Sequence, residues 1–125
     1  MKENFSFEDL KVYKEARKLV KEIYQIQDTL PKAETFGLGN QIRRAAISIT
    51  ANLAEGSGRT SIKEKIHFIE ISFGSLMEVF CELQTASDLG YIENNKVENL
   101  RPQFRTVSQL LSGLRNYFLT KIPSH

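Results

Sequence analysis

The sequence predicts an all-α protein, an up-and-down antiparallel four-helix bundle that forms one domain over residues 1–125. In four segments apolar residues recur at about 100° per residue, the period of an amphipathic helix. Only three prolines are present, and most glycines fall between these segments. No segment alternates apolar and polar residues over a useful length, so we expect no sheet. Long helices joined by short loops favour antiparallel neighbours.

The first two segments have recognisable ends. The first runs from about Ser6 to Leu30, opens with Ser6-Phe7-Glu8-Asp9, which resembles a capping box, and ends at Pro31. The second runs from about Phe36 to Gly56 and is stopped by Gly56-Ser57-Gly58. Both segments therefore predict amphipathic helices.

The third and fourth segments differ in the clarity of their signals. The third opens with a capping box, Ser61-Ile62-Lys63-Glu64, and closes at Gly90, which suits a left-handed position after the last turn. The fourth covers about Asn95 to Leu119, but Pro102 interrupts it. Because proline disfavours a helix interior, we expect a short turn and then a helix from about Leu100.

Composition sets limits on the class of protein. Hydrophobic residues make up 41% of the chain and charged residues 26%, which is ordinary for a soluble globular protein. A net charge of +2 does not by itself predict a nucleic-acid partner. The single cysteine, Cys81, excludes an intrachain disulfide and predicts a reduced cytoplasmic thiol that packs as a small hydrophobe. Met1–Asn4 leads into no apolar stretch, so we expect no signal peptide. The longest uncharged run, Ala45–Ala54, is about half of a membrane span, so we expect no membrane partner.

The second helix carries apolar residues on two sides. Ile47, Ala51 and Ala54 lie opposite its main stripe, where small side chains would let another helix approach closely. These positions predict a homo-oligomer with closed cyclic symmetry. The alternative is one wide apolar face that is covered within a single chain. The third helix adds apolar residues outside its main stripe, namely Phe68, Ile71, Val79 and Ala86.

Catalytic motifs are weak. Glu64-Lys65-Ile66-His67 has the E-x-x-H form of di-iron bundles, but the only other histidine is His125, and the motif points away from the apolar stripe. Ser57 lies in neither a nucleophile elbow nor a phosphate loop. We therefore expect no enzyme activity, no metal and no cofactor. A hidden metalloenzyme, the remaining alternative, would use Glu64, His67, Glu78 and Glu82.

A polar stripe runs along the second helix. Ser48, Asn52 and Glu55 belong to it at helical spacing, with an arginine at each end. One interpretation is a hydrogen-bonded network that fixes the register between helices or subunits. A ligand groove and a solvated helix face are the alternatives.

Two clusters of basic residues are candidates for nucleic-acid binding. Lys11, Lys14, Lys18 and Lys21 share an arc of roughly 80° on the first helix, which is either its solvated side or a ridge that contacts phosphates. Arginines and lysines also gather near the turn between the second and third helices. No aromatic residues interleave with either cluster, so base-specific recognition is not expected. The candidate phosphate contacts are Lys11, Lys14, Lys18, Arg43, Arg44 and Arg59.

Several motifs together resemble a bacterial family. They are Phe7-Glu8-Asp9-Leu10-Lys11-Val12-Tyr13, Gly37-Leu38, Gln41-Ile42-Arg43-Arg44-Ala45-Ala46-Ile47-Ser48-Ile49, Asn52-Leu53-Ala54-Glu55-Gly56-Ser57-Gly58-Arg59 and Phe73-Gly74-Ser75-Leu76-Met77-Glu78. The chain resembles the four-helix bundle proteins encoded by intervening sequences in 23S ribosomal RNA genes, and is similar to the accessory proteins of diversity-generating retroelements.

The resemblance implies a homopentamer without known enzyme activity. In the retroelement branch it implies binding to nucleic acid and to a reverse transcriptase through basic surfaces. Arg43, Arg44 and Arg59 match the family's arginines, and Asn52 and Glu55 match its polar positions. The low net charge departs from the strongly basic retroelement branch.

Overall fold

Residues 3–123 are described by the computed structural model, and over that range the chain forms four α-helices and no strand. Two short 3-10 turns, Ser6–Asp9 and Lys32–Glu34, precede the first and second helices. None of the helices in this range has the length and apolar character to cross a membrane. The predicted four-helix, all-α class is confirmed. The helices are α1 (Lys11–Gln27), α2 (Leu38–Ser57), α3 (Ile62–Asp88) and α4 (Asn94–Leu119).

The helices pack as a square in which neighbours along the chain touch. Helices α1 and α3 each contact α2 and α4, but they do not contact one another. In the α2–α3 pair Ser48 contacts Ser75, and Ser57 near the loop contacts Lys65, as expected for antiparallel helices. The α3–α4 pair is also antiparallel, because Phe80 packs on Phe104 while Glu70, earlier in α3, pairs with Arg115, later in α4. The chain is therefore an up-and-down bundle.

The core contains one apolar stripe from each helix. Spacings of three and four residues place these side chains on one helix face, and their burial supplies the main driving force for packing. The most deeply buried include Leu19 and Ile23 of α1, Ile42 and Ile49 of α2, Leu76 and Leu83 of α3, and Val97, Val107 and Leu111 of α4.

The prediction for the fourth segment is wrong at its start. Helix α4 begins at Asn94, six residues before the predicted Leu100, and Pro102 lies inside it. Val97 is fully buried and Leu100 nearly so, while Pro102 is exposed. Burial of the early turns thus outweighs the roughly 3 kcal/mol cost of an interior proline.

The first segment also starts differently from the prediction. Ser6–Asp9 forms a 3-10 turn, and Leu10 is extended before α1 begins. The predicted Ser6 capping box is absent from this turn. Instead the Phe5 N–H donates to Glu8 Oε1 at 2.8 Å. In the third helix the predicted cap is present, since Ser61 Oγ accepts the Glu64 N–H at 3.3 Å. Gly90 has the predicted left-handed conformation, with φ of 80°.

The loop between α1 and α2 is fixed by one carboxylate. Glu34 Oε1 accepts the Leu38 N–H at 3.1 Å, which caps the start of α2. Glu34 Oε2 accepts the Tyr91 hydroxyl at 3.1 Å, which ties this loop to the loop between α3 and α4. That hydrogen bond raises the pKa of the Tyr91 phenol. Phe36, the predicted start of α2, lies outside the helix and is 91% exposed.

The buried face of α3 is wider than predicted. Val79 and Ala86, expected outside the main stripe, are fully buried, because α3 packs against both α2 and α4. Of the other two apolar residues predicted outside the main stripe, Phe68 is half-buried and Ile71 is 36% exposed. Cys81 is exposed, so the expectation that its thiol packs in the interior is wrong.

Helices α2 and α3 approach closely at Gly56. A Cβ at this position would lie 2.8 Å from Phe68 Cβ, closer than two carbon atoms tolerate. The contact therefore requires glycine, which lies in the last turn of α2. Gly74 on α3 has no atom within 4 Å of its own notional Cβ.

Gly56→Ala should destabilise the protein by about 1–2 kcal/mol, because the methyl group would push α2 away from α3. Gly74→Ala, the matched control, should stabilise it by about 1 kcal/mol through helix propensity. Urea unfolding followed by circular dichroism measures both. An equal gain in the two variants would show that Gly56 is not a close-contact position.

Candidate functional site

The lysines of α1 form a ridge on the outer side of the bundle. Lys11, Lys14, Lys18 and Lys21 are all exposed, and we call this set the lysine ridge. Lys18 lies 3.4 Å from Glu15 but remains 72% exposed. Among the described residues the other three ridge lysines have no carboxylate oxygen within 4 Å. Their ammonium groups can therefore contact an external anion.

Arg43 has a structural position. Its Nη1 donates to Gln27 Oε1 and its Nη2 to the Thr35 carbonyl oxygen, both at 2.8 Å. Gln27 is only 6% exposed, and its Nε2 donates to the Tyr24 carbonyl oxygen. Arg43 thus joins the end of α1, the following loop and α2. Two of its donors are used within the chain, which weakens its candidacy as a phosphate contact.

Arg59 pairs with carboxylates, whereas Arg44 lines a groove without forming an ion pair among residues 3–123. Arg59 forms ion pairs with Glu55 at 3.1 Å and Glu64 at 3.8 Å. Its guanidinium carbon stands 4.8 Å from the centre of the Phe68 ring. Arg44 is exposed and lines a groove between α2 and α3. The positive charge of Arg59 is therefore partly compensated.

The two basic clusters lie on different sides of the bundle. The lysine ridge belongs to α1, whereas Arg44 and Arg59 face residues of α3. Because α1 and α3 are diagonal in the bundle, the structure does not join the clusters into one patch. This separation could not be predicted from the sequence, since it depends on which helices are neighbours.

A small polar network crosses the α2–α3 contact. Asn52 Nδ2 donates to both the carbonyl oxygen and Oγ of Ser48 at 2.8 Å, and Ser75 Oγ lies 2.8 Å from Ser48 Oγ. Ser72, fully buried, donates to the Ile49 carbonyl oxygen at 2.7 Å. Sequence reasoning identified Ser48 and Asn52 but missed Ser72 and Ser75.

Glu55, the third predicted member of the network, pairs with Arg59 instead. The network joins two helices of the same chain and so fixes their register. The sequence feature that could have identified Ser72 and Ser75 as network members is their spacing of three residues within an otherwise apolar helix.

Two carboxyl groups of α3 lie together in the groove beside Arg44. Burial raises the pKa of Glu82 from its ordinary 4.5 to about 7, and the charge of Glu78 and a hydrogen bond between the two add to the effect. Glu82 Oε1 is buried without a hydrogen-bond partner among residues 3–123. Asn40, Gln41 and Cys81 also line this groove. The pair therefore holds a proton at a pH where most carboxyls are ionised.

The E-x-x-H motif faces solvent. Glu64 and His67 are both exposed, and the His67 ring packs edge-on against Phe68. Over residues 3–123 no group of three or more His, Cys, Asp or Glu side chains is placed to hold a metal ion. His125, the other histidine, lies outside the described residues.

The predicted contact face of α2 lies at the surface of the bundle. Ile47 is 48% exposed, Ala51 is exposed and Ala54 is half-buried. These three residues, which we call the outer face of α2, present a large aliphatic side chain beside two small ones. Such a surface can receive another helix, although one exposed isoleucine alone is ordinary for a soluble protein.

Glu82→Gln should remove a pH dependence of stability. The pKa of Glu82 is higher in the folded than in the unfolded chain, so its stabilising contribution is complete below pH 4.5 and lost as the pH rises through about 7. Above pH 7 the variant should be more stable than the parent by about 1 kcal/mol, after allowance for solvent screening. Below pH 4.5 the two should converge.

Urea unfolding across this pH range measures the difference, with Glu22→Gln on the exposed side of α1 as the control. A parallel pH profile for the parent and Glu82→Gln would contradict the assignment.

The fold and sequence can be placed among known proteins. The family model described as 23S rRNA-intervening sequence protein matches residues 8–113. Among solved structures, the chain is similar to a protein of unknown function from the S23 ribosomal protein family of Bacteroides thetaiotaomicron, with 21% identity and a TM-score of 0.76. The likeness covers 84% of this chain and 95% of that one, and it concerns the fold. No curated protein matches. Since the family match spans most of the sequence, the chain belongs to the 23S rRNA-intervening sequence protein family.

Proposed function

We propose that the protein is a non-enzymatic, cytoplasmic homo-oligomer that binds RNA or DNA through phosphate contacts. The observation that carries this proposal is the lysine ridge, whose exposed ammonium groups lie on one side of α1 and, within residues 3–123, form one ion pair, between Lys18 and Glu15. Lysine acts as a point charge on phosphate and gives affinity without sequence preference.

The lysine ridge supports the proposal better than the arginines do. Arg43 is engaged with Gln27 and Thr35, and Arg59 with Glu55 and Glu64. Arg44 lies beside two carboxyl groups, one of which holds a proton near neutral pH. We therefore assign the main phosphate contacts to Lys11, Lys14 and Lys18, and a lesser contribution to Arg44.

Self-assembly is the second part of the proposal. The outer face of α2 offers a contact for another subunit, and the family resemblance implies five copies. A single ridge of four lysines binds phosphate weakly, and a ring of ridges that engage one strand would bind more tightly because later contacts become intramolecular. Oligomerisation would thus supply the affinity that a net charge of +2 per chain does not.

A scaffold without nucleic-acid binding is the second candidate. The internal partners of Arg43 and Arg59 favour it, and Lys18 also lies 3.4 Å from Glu15, so three of the six predicted phosphate contacts have partners within the chain. In that case the outer face of α2 would serve assembly or a protein partner, and a reverse transcriptase is the partner class that the resemblance implies. Recovery of a protein partner from nuclease-treated lysate, without nucleic-acid binding by the pure protein, would favour this candidate.

Replacing Ala51 and Ala54 together by glutamate should shift the mass in solution towards the monomer. Two carboxylates on the outer face of α2 would meet a neighbouring subunit and be costly to bury there. Light scattering coupled to size exclusion measures the mass, and Gln25→Glu with Gln109→Glu, exposed on α1 and α4, is the control. An unchanged mass for the Ala51 and Ala54 variant would reject this face as the contact.

Changing Lys11, Lys14 and Lys18 to glutamine should weaken binding to a random DNA or RNA duplex and reduce its salt dependence. For DNA, the loss of three phosphate contacts should lower the slope of log affinity against log salt by up to about 2.7. Fluorescence anisotropy between roughly 50 and 200 mM salt measures the slope.

The matched control removes the same charge elsewhere, by glutamine at Lys32, Lys96 and Lys121, which are also exposed. Equal losses in the two triple variants would mean that net charge, and not the lysine ridge, controls binding. Absence of binding by the parent protein at low salt would reject the nucleic-acid role altogether.

A further inference from the structure

An apolar cavity lies at the end of the bundle where α1 and α3 begin and α2 and α4 end. Its volume is about 210 Å³, and it is partly open to solvent. Phe7 and Leu10 close it from the N-terminal turn, and the helices supply Leu53, Ile69, Leu114 and Phe118. An apolar cavity of about 150 Å³ is large enough to bind benzene, so this one has room for a small apolar group.

Lys65 is the charged residue of this cavity. Its Nζ donates to the Ser57 carbonyl oxygen at 3.1 Å and stands 5.9 Å from the centre of the Phe118 ring. Within residues 3–123 no carboxylate oxygen lies within 4 Å of this nitrogen. Lys65 is also half-buried, unlike the exposed lysines of the lysine ridge. An ammonium group has three donors, so the contact with Ser57 leaves two of them for another acceptor.

We propose that this cavity binds a small carboxylate with an apolar tail. The tail would fill the space between Leu53, Ile69 and Leu114, and the carboxylate would accept hydrogen bonds from Lys65. A partly desolvated ammonium without a carboxylate partner attracts an anion more strongly than an exposed lysine does, because solvent screens it less. Small-molecule sites are usually apolar pockets with a few polar groups that orient the ligand, and this cavity has that arrangement.

The charge of the ligand is the feature that the cavity should select. Octanoate, 1-octanol and octylammonium have the same tail and differ in the charge of the head group. We expect octanoate to bind about tenfold more tightly than octanol, and octylammonium to bind least. Titrations followed by the NMR signals of the Leu53, Ile69 and Leu114 methyl groups measure each affinity.

Two variants test the assigned contacts. Lys65→Met should reduce octanoate affinity about tenfold, to that of octanol, while Lys63→Met, an exposed lysine of the same helix, should leave it unchanged. Leu114→Trp should abolish binding of all three probes by filling the cavity. If that variant does not fold, as judged by circular dichroism, the comparison of Lys65→Met with Lys63→Met remains decisive.

Equal affinity for octanoate and octanol would overturn the proposal, as would octanoate binding that Lys65→Met leaves intact. Perturbations confined to residues outside the cavity, or no saturable perturbation, would also overturn it. These outcomes are independent of nucleic-acid binding, because none of the ridge lysines lines the cavity.

Discussion

The contact between α2 and α3 is the constraint on which the rest of the bundle depends. It is the most extensive helix–helix contact of the chain, and small residues make it possible. Gly56 lets the backbone of α2 reach the Phe68 side chain, and Ser72 donates from the middle of α3 to a carbonyl oxygen of α2. Because a buried donor without a partner is costly, this hydrogen bond specifies one register for the two helices. Helices α1 and α4 then pack against the apolar faces that this pair presents.

The same contact explains where the charged side chains of α2 are found. Close packing of α2 on α3 brings Arg59 to Glu64 and places Arg44 beside the Glu78–Glu82 pair. The groove between these helices therefore contains both positive and negative side chains, whereas within residues 3–123 the lysine ridge on α1 has one ion pair, between Lys18 and Glu15. Charge is therefore distributed unevenly over the bundle. Exposed lysines follow α1, whereas the groove between α2 and α3 holds both signs of charge.

Three structural features could not be inferred from residue types alone. Arg43, a motif arginine, holds the end of α1 to α2 and to the Thr35 carbonyl oxygen, so its presence in a motif reflects architecture. Glu34 caps α2 and receives the Tyr91 hydroxyl, which joins two loops at one end of the bundle. At the other end, the N-terminal 3-10 turn covers the apolar cavity beside Lys65. Each arrangement depends on residues far apart in the sequence.

The sequence by itself determined the class of fold, the number of helices and most of the buried stripes, because the spacing of apolar residues places them on one face whatever the partner helix is. It also located the Ser61 cap and the left-handed Gly90, which depend on neighbouring residues only. Only the tertiary structure decided that α4 continues through Pro102, that Val79 and Ala86 lie in the core, and that Arg43 and Ser72 have internal partners. These outcomes depend on which helix packs against which, and the energy of that packing exceeds the local preferences that a single segment expresses.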